Sequence, residues 1–450
     1  MRTTRRIATL RLSPAATWGA ILLVAFFSLE GRLAEAQVAP VHNQSVTGTT
    51  DWDQWKRNCS LTDFAKKFLS CATSTVTARP FHFLVQSVVP GSGVGGGGRL
   101  AFDMNEKNGA QDQLQATAVM TIRQFWYTEL KFSSQRAIDK DWNPSGESLG
   151  INIYARNRSM PVMPFYGLGQ NTTLQGLGDF SERDTSAGVE VTTPFPEVSW
   201  LSAGGVVEGL WPSIGPVFSK NVLSITQKYN EQTAPGLATQ PPFVHEQVFL
   251  NPHKRFLTRL ELDGSIAYNL YQDSSTGHYS FRRFEAMPEL RFYPEKRKHG
   301  GVIEQNYFSV LWRYSAASTE QGNAIPFYLQ ETIGGMDINN ETFLPAFKDY
   351  RFRGPNLMTA GIAYNRKICD ACAPCKQGII RTVCSHLGLV LDYDAGKVAL
   401  SRSDLDFSGM HQSFGGGVSI YLGKDVVFKM AVGLGGGEGT HPYFNVANFL

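Results

Sequence analysis

Three cysteines at two-residue intervals, Cys369, Cys372 and Cys375, followed by Cys384 eight residues on, are the densest cluster of reactive side chains in the chain. Four thiolates can hold zinc. The x2, x2, x8 spacing fits no common zinc or iron–sulfur pattern well, and an even cysteine count in an exported chain favours disulfides. With Cys59 and Cys71 there are six cysteines. Their pairing is not deducible from sequence. If 60–71 is one helix, Cys59 and Cys71 lie roughly 18 Å apart at the rise of 1.5 Å per residue, too far for a bridge. Either that helix ends early, or one of the two pairs with the later cluster. Nine histidines, among them His82, His245, His253 and His441, form no nucleophile motif with a Ser or Cys. The Gly95–Gly98 run lacks the following helix and Lys-Ser/Thr of a phosphate loop. The expectation is a non-enzymatic protein with no metal and no cofactor.

The context of these residues is set by the first 36. Arg2, Arg5, Arg6 and Arg11 precede an apolar run from Ala15 to Leu29, and Ala34-Glu35-Ala36 is a small-x-small cleavage site. This reads as a signal peptide. The run is shorter than the ~20 residues of a spanning helix. The remainder is rich in glycine (44) and aromatics (12%) but only 18% charged. A net charge of +3 argues for no nucleic-acid partner. The mean hydropathy of −0.19 is compatible with a membrane barrel, because its lipid-facing and lumen-facing residues alternate and average out.

Residues 37–78 read as a periplasmic segment with a short amphipathic helix carrying Leu61, Phe64, Phe68 and Leu69 on one stripe. From about residue 79 the period becomes two. Leu114, Ala116, Ala118, Met120 and Ile122 alternate with polar residues, as do Phe256, Leu260, Leu262, Ile266, Tyr268 and Leu270, and Val426, Phe428, Met430, Val432 and Leu434. Such strands have one face in an apolar phase and one in water. The fold class is therefore all-β, an antiparallel transmembrane barrel over 79–450.

Several segments in order carry a resemblance: GSGVGGGGRLAFDMN (91–105), MPFYGLGQNT (163–172), PFYLQETIGG (326–335), LVLDYDAGKV (389–398), SFGGGVSIYL (413–422) and the C-terminal run. Together they resemble the bacterial surface-antigen / outer-membrane assembly-factor superfamily. The resemblance implies sixteen strands, with 326–335 as the strand leading into a long sixth loop that folds back into the lumen. In this reading Gly334 and Gly335 start the loop turn. The family's Arg-Gly-aromatic tip falls on Leu344-Pro345-Ala346-Phe347, where only the aromatic, Phe347, is kept. The family's arginine pairs with an aspartate of the thirteenth strand, here Asp394. Arg351 or Arg353 is therefore expected to replace it, making a lumen lock of Arg351, Arg353, Asp394 and Phe347. Strands twelve and thirteen are placed at 356–368 and 383–394, with the cysteine cluster between them. The closing strand, through Phe444, Val446 and Phe449, is expected to carry the signal read by the barrel-insertion machinery.

The 42 residues of 37–78 are too few for one of the family's polypeptide-transport-associated domains. The expectation is a barrel-only member of the outer membrane that takes part in insertion or transport of protein or lipid. Its expected partners are outer-membrane lipids, the insertion machinery and a separate periplasmic protein. The alternatives are a passive diffusion channel, or a surface antigen with a structural role.

Overall fold

In the computed structural model, the residues described are 81–105, 110–137, 148–195, 198–218, 221–256, 259–294, 306–337, 342–367, 387–422 and 425–446. The signal peptide, the N-terminal helix, all six cysteines and Phe449 lie outside them.

Sixteen strands form one antiparallel sheet in plain chain order. They are β1 (Phe81–Gln86), β2 (Gly95–Asn105), β3 (Ala110–Thr121), β4 (Trp126–Ala137), β5 (Ser148–Phe165), β6 (Gly178–Phe195), β7 (Val198–Pro216), β8 (Phe243–Phe256), β9 (Leu260–Asp273), β10 (Phe281–Phe292), β11 (Tyr307–Thr319), β14 (Asn356–Lys367), β15 (Leu387–Ala399), β16 (His411–Leu422), β17 (Asp425–Leu434) and β18 (His441–Val446). The numbers omitted, β12 (Glu331–Ile333) and β13 (Phe352–Gly354), make a separate two-stranded ribbon inside the long β11–β14 connection.

The expected alternation is realised, and it sorts the wall into two faces. Met120, Leu130, Ile153, Val207, Tyr268, Leu290, Val310, Ile362, Leu391 and Val432 are large, apolar and exposed. Asn269, Arg283, Ser315, Asp394 and Ser413 are polar and buried. In β15, Leu389 and Leu391 look outward while Asp394 looks inward, as the sequence pattern predicts. Exposing so much apolar surface to water is unfavourable; a lipid phase around the wall removes the cost. Aromatic pairs Phe308–Tyr364, Phe284–Tyr314 and Tyr393–Phe414 pack on this outer face.

The sheet curls until its two ends approach one another. Consecutive residues of the β11–β14 loop show this. The Tyr350 hydroxyl donates to the Pro90 carbonyl in the β1–β2 turn at 3.2 Å, and Arg351 reaches Glu438 in the β17–β18 connection. First and last hairpins thus meet at one loop, and the architecture is a sixteen-stranded barrel.

Two boundaries differ from expectation. Phe256 ends β8 rather than sharing a strand with Leu260, which opens β9 directly opposite it; the Arg259 N–H donates to the Phe256 carbonyl at 3.2 Å. Residues 326–335 are not a wall strand. They form a 3-10 turn at Phe327–Leu329 and then β12, whose three residues are all buried. A segment inside the lumen is covered on both faces, so it shows no alternation.

Candidate functional site

Thirty-six residues separate Thr319 from Asn356, and the described ones, 320–337 and 342–355, leave the wall at one end of the barrel and lie inside it. Gly334 and Gly335 begin the turn with φ of +109° and +60°, values that favour glycine. Their N–H groups donate to the Phe343 and Leu344 carbonyls at 3.3 and 3.1 Å, and the Phe343 N–H returns to Gly335 at 3.2 Å. Leu344 and Tyr350 hold left-handed φ of +58° and +57°. Two bulky residues in that region mark stored backbone strain, which persists only where the surroundings fix it.

Those surroundings are four groups of contacts. The first holds the tip. The Leu344 N–H donates to the Asp394 carboxylate, and the Ala346 N–H donates to Ser413 Oγ at 2.8 Å. Phe347, Phe352 and His411 stack beside them, with Phe352 parallel to the imidazole at 4.1 Å. On β17 the Pro345 carbonyl lies where a Cβ at Gly433 would be, so that position must lack a side chain.

The second group holds β12. Glu331 sits between two arginines of the wall, Arg313 at 2.7 Å and Arg283 at 3.2 Å. It also accepts a hydrogen bond from Ser315 at 3.0 Å. Arg313 also binds Asp337 at 2.7 Å. All four charged side chains are largely buried. A buried charge of this kind is tolerated only when paired.

Arg351 is the centre of the third. Its Nε is 2.5 Å from Glu438 Oε1, and its terminal nitrogens donate to Thr172 Oγ1 and the Thr172 carbonyl at 2.7 and 2.8 Å. The guanidinium also lies 4.9 Å from the Tyr166 ring centre and 4.6 Å from that of Phe352. The fourth group is Arg353. It donates to the Phe327 carbonyl at 2.7 Å, and its own carbonyl accepts the Gly169 N–H at 2.7 Å. Phe165, Phe180 and Phe327 surround its guanidinium at 5.7–5.9 Å. Burial among these rings pushes the Arg353 guanidinium down to about 10, with Glu182 opposing the shift.

The expected lock residues are therefore all in the loop's contact set, but the expected pairing is not the one formed. Neither Arg351 nor Arg353 pairs with Asp394. Both arginines sit on the return limb, beside the β5–β6 loop and the last hairpin, away from the tip. Asp394 instead receives a backbone amide. The sequence reading missed Arg283, Arg313, Glu331, Asp337, Ser413 and Glu438. Arg283 and Arg313 stand at inward positions of their strands, and that alternation is the signal that could have marked them.

Above the loop, the connections at the same end close over it. Val89, Phe125, Met163, Phe165, Phe180, Ile225, Phe243, Tyr279, Phe327, Tyr328 and Tyr350 form one buried apolar cluster. Outside the loop they come from four connections, those of β1–β2, β3–β4, β7–β8 and β9–β10, and from the ends of β5, β6 and β8. A packed apolar core thus covers part of this end. Further along the inner wall, Arg156, Glu208, His245, Asn269 and Glu285 link β5, β7, β8, β9 and β10 through contacts of 2.9–3.1 Å. His245 is held there by Glu208 and Asn269. At the closing strand, Phe444 and Val446 pair through their backbones with Met430 and Phe428.

No protein-family model matches the chain, and no curated protein matches it by sequence. Among solved structures, BamA from Haemophilus ducreyi lacking POTRA domains 1–3 is similar at 12% identity and a TM-score of 0.49, over 82% of this chain and 68% of that one. CdiB from Escherichia coli is similar at 11% identity and a TM-score of 0.48, over 82% of this chain and 60% of that one. The outer membrane protein OprD from Pseudomonas aeruginosa aligns over 82% of this chain and 92% of its own, at 8% identity and a TM-score of 0.32. The chain spans about 60% of the CdiB length. These are distant likenesses; the barrel described above rests on its own strand order and inward loop.

Proposed function

We propose that this chain is a bacterial outer-membrane barrel of the surface-antigen / assembly-factor type, taking part in the insertion or transport of protein or lipid. The reading is non-enzymatic. One observation carries it: a long loop is folded into the lumen, tied to wall strands at Ser413 and Arg313 and to neighbouring connections at Glu438 and Gly169, and covered by a packed apolar cap. A passive pore works by leaving a wetted, charge-lined constriction open. A lumen filled in this way is better suited to a device that must move its plug, or that acts on other chains at its outer surface. Outer-membrane lipids, the insertion machinery and a separate periplasmic protein are the partners this reading calls for. The residues assigned to holding the loop are Arg351, Arg353, Asp394 and Phe347, joined by Glu331, Arg283, Arg313 and Glu438.

The test is depletion of the protein, with quantification of outer-membrane proteins and surface lipids against an intact strain. Broad or selective loss of other barrels or of lipid supports assembly or transport. An unchanged envelope with slower uptake of small solutes would overturn it in favour of the passive channel.

A further inference from the structure

The loop does not fill the barrel mouth evenly. On the side where β1 and β18 approach one another, it leaves a cavity of about 600 Å³ between itself and the strand ends. That volume is in the range of small-molecule sites. Two carboxylates line it. Asp179, at the start of β6, is only 8% exposed. Its backbone N–H donates to the Leu223 carbonyl at 3.0 Å, while its carboxylate has no hydrogen-bond or ion-pair partner among the described residues. Asp349, on the loop, uses one oxygen to accept the Met336 N–H at 2.9 Å, and its other oxygen lies toward the β1–β2 turn at Gly91.

Asp179 is largely covered, but its carboxylate opens on the cavity; an unpaired carboxylate in such a partly desolvated site favours a cation. No cation lining the cavity is paired with Asp179 among the described residues, while His441 acts on Asp349. Arg123 is exposed and donates to the Gly91 carbonyl at 2.7 Å. Lys348 is exposed. The His441 ring contacts the Glu438 carbonyl at 3.2 Å. The rest of the wall is apolar or aromatic, with Met163, Tyr166, Pro345 and Phe347 contributing.

We propose that this cavity binds a small organic cation, an alkylammonium whose head meets Asp179 and whose carbon stem lies against Met163, Pro345 and Phe347. Asp179 supplies a charge-assisted hydrogen bond, and the aromatic walls suit a cationic head. Loop and wall each contribute part of the site, so a bound cation also stabilises the loop in its docked position. The site does not depend on what the barrel transports, and it stands or falls separately from the function proposed above.

The experiment is calorimetric titration of the full chain in detergent micelles with n-butylammonium, with n-butanol and butyrate as comparators. The expected result is saturable one-site binding of butylammonium alone. Asp179→Asn should weaken it roughly tenfold or more, the scale of one hydrogen bond to a charged group. Lys348→Met should bind as well as the natural chain or better, because a competing cation has gone. Butylammonium, but not butanol, should also slow tryptic cleavage after Lys348. Absence of binding, equal affinity of Asp179→Asn, or binding of butyrate in place of the cation would each overturn the proposal. If Asp179→Asn does not fold, the cleavage protection of the natural chain decides: protection by butylammonium over butanol supports the site, and equal rates overturn it.

Discussion

Arg351 Nε lies 2.5 Å from Glu438 Oε1, with both side chains buried. This pair ties the return limb of the inward loop to the last hairpin of the barrel, 87 residues away in the chain. Removing one partner strands the other in a site of low polarity, where halving a buried pair costs about 3–5 kcal/mol. Arg351→Ala should therefore lower the temperature at which the barrel unfolds in a heat-modifiability gel and hasten tryptic cutting after Lys348. Arg351→Lys should recover only part of this, since a lysine cannot meet Glu438 and both Thr172 oxygens in the guanidinium geometry. Indifference to Arg351→Ala would mean that the pair does not hold the loop.

How far this site was legible follows from what each residue needed. The wall was legible, because burial on one face writes a period of two into β3, β9 and β15. Gly334–Gly335 was legible because a left-handed turn selects glycine. Asp394 was legible as an inward carboxylate. The partners were not, because they depend on the path of a loop whose contacts lie tens to hundreds of residues apart: Arg351 meets Thr172 and Glu438, and Tyr350 meets Pro90. Segment 326–335 was misread as wall because β12 is too short, and too fully covered, to carry a period.

The partner of Asp394 separates two kinds of lock. A carboxylate facing an arginine would lose its ion pair on becoming an amide. A carboxylate facing the Leu344 N–H keeps an acceptor in Asp394→Asn and loses it in Asp394→Ala. The expected order of loop protection from trypsin is thus wild type close to Asp394→Asn, with Asp394→Ala clearly lower. An equal and large loss in both variants would point to an ionic lock instead.

Glu331 neutralises two wall arginines at once. In Glu331→Ala, Arg283 keeps Glu285 at 3.8 Å and Arg313 keeps Asp337 at 2.7 Å, but β12 loses both of its ion pairs to the wall. Breaking a buried pair is costly, so β12 should leave the wall. Single-channel recordings in planar bilayers are expected to show low, rare conductance for the natural chain and larger, more frequent openings for Glu331→Ala. Glu331→Gln should fall between them, as it keeps the Ser315 hydrogen bond without the charge. Identical traces for all three would remove the plug role from this cluster.

The tip also depends on an absence. A side chain at Gly433 would overlap the Pro345 carbonyl. Gly433→Val should displace the tip without removing any partner of an ion pair, and the Ala346–Ser413 and Leu344–Asp394 bonds should weaken together. The measurable result is faster cleavage after Lys348 at unchanged far-ultraviolet circular dichroism. Cleavage at the wild-type rate would show that the tip can shift aside at no cost.

Asp349 gives the loop a pH dependence of definite sign. Burial raises its carboxyl above the ordinary carboxylate range, opposed by the Met336 N–H and by His441. A group whose pKa is higher in the folded state takes up its proton more readily there. Its contribution is fully present below the unfolded carboxylate pKa and is lost as pH rises through the folded value. Loop docking should therefore be firmest in acid and loosen as pH rises through the raised folded-state pKa of Asp349. Asp349→Asn imitates the protonated form and retains an acceptor for Met336, so it should flatten that part of the profile. Cleavage after Lys348 can be compared across pH once rates are corrected with a peptide of the same sequence. A natural-chain profile as flat as that of Asp349→Asn, or one sloping the other way, would assign the pH response to other groups.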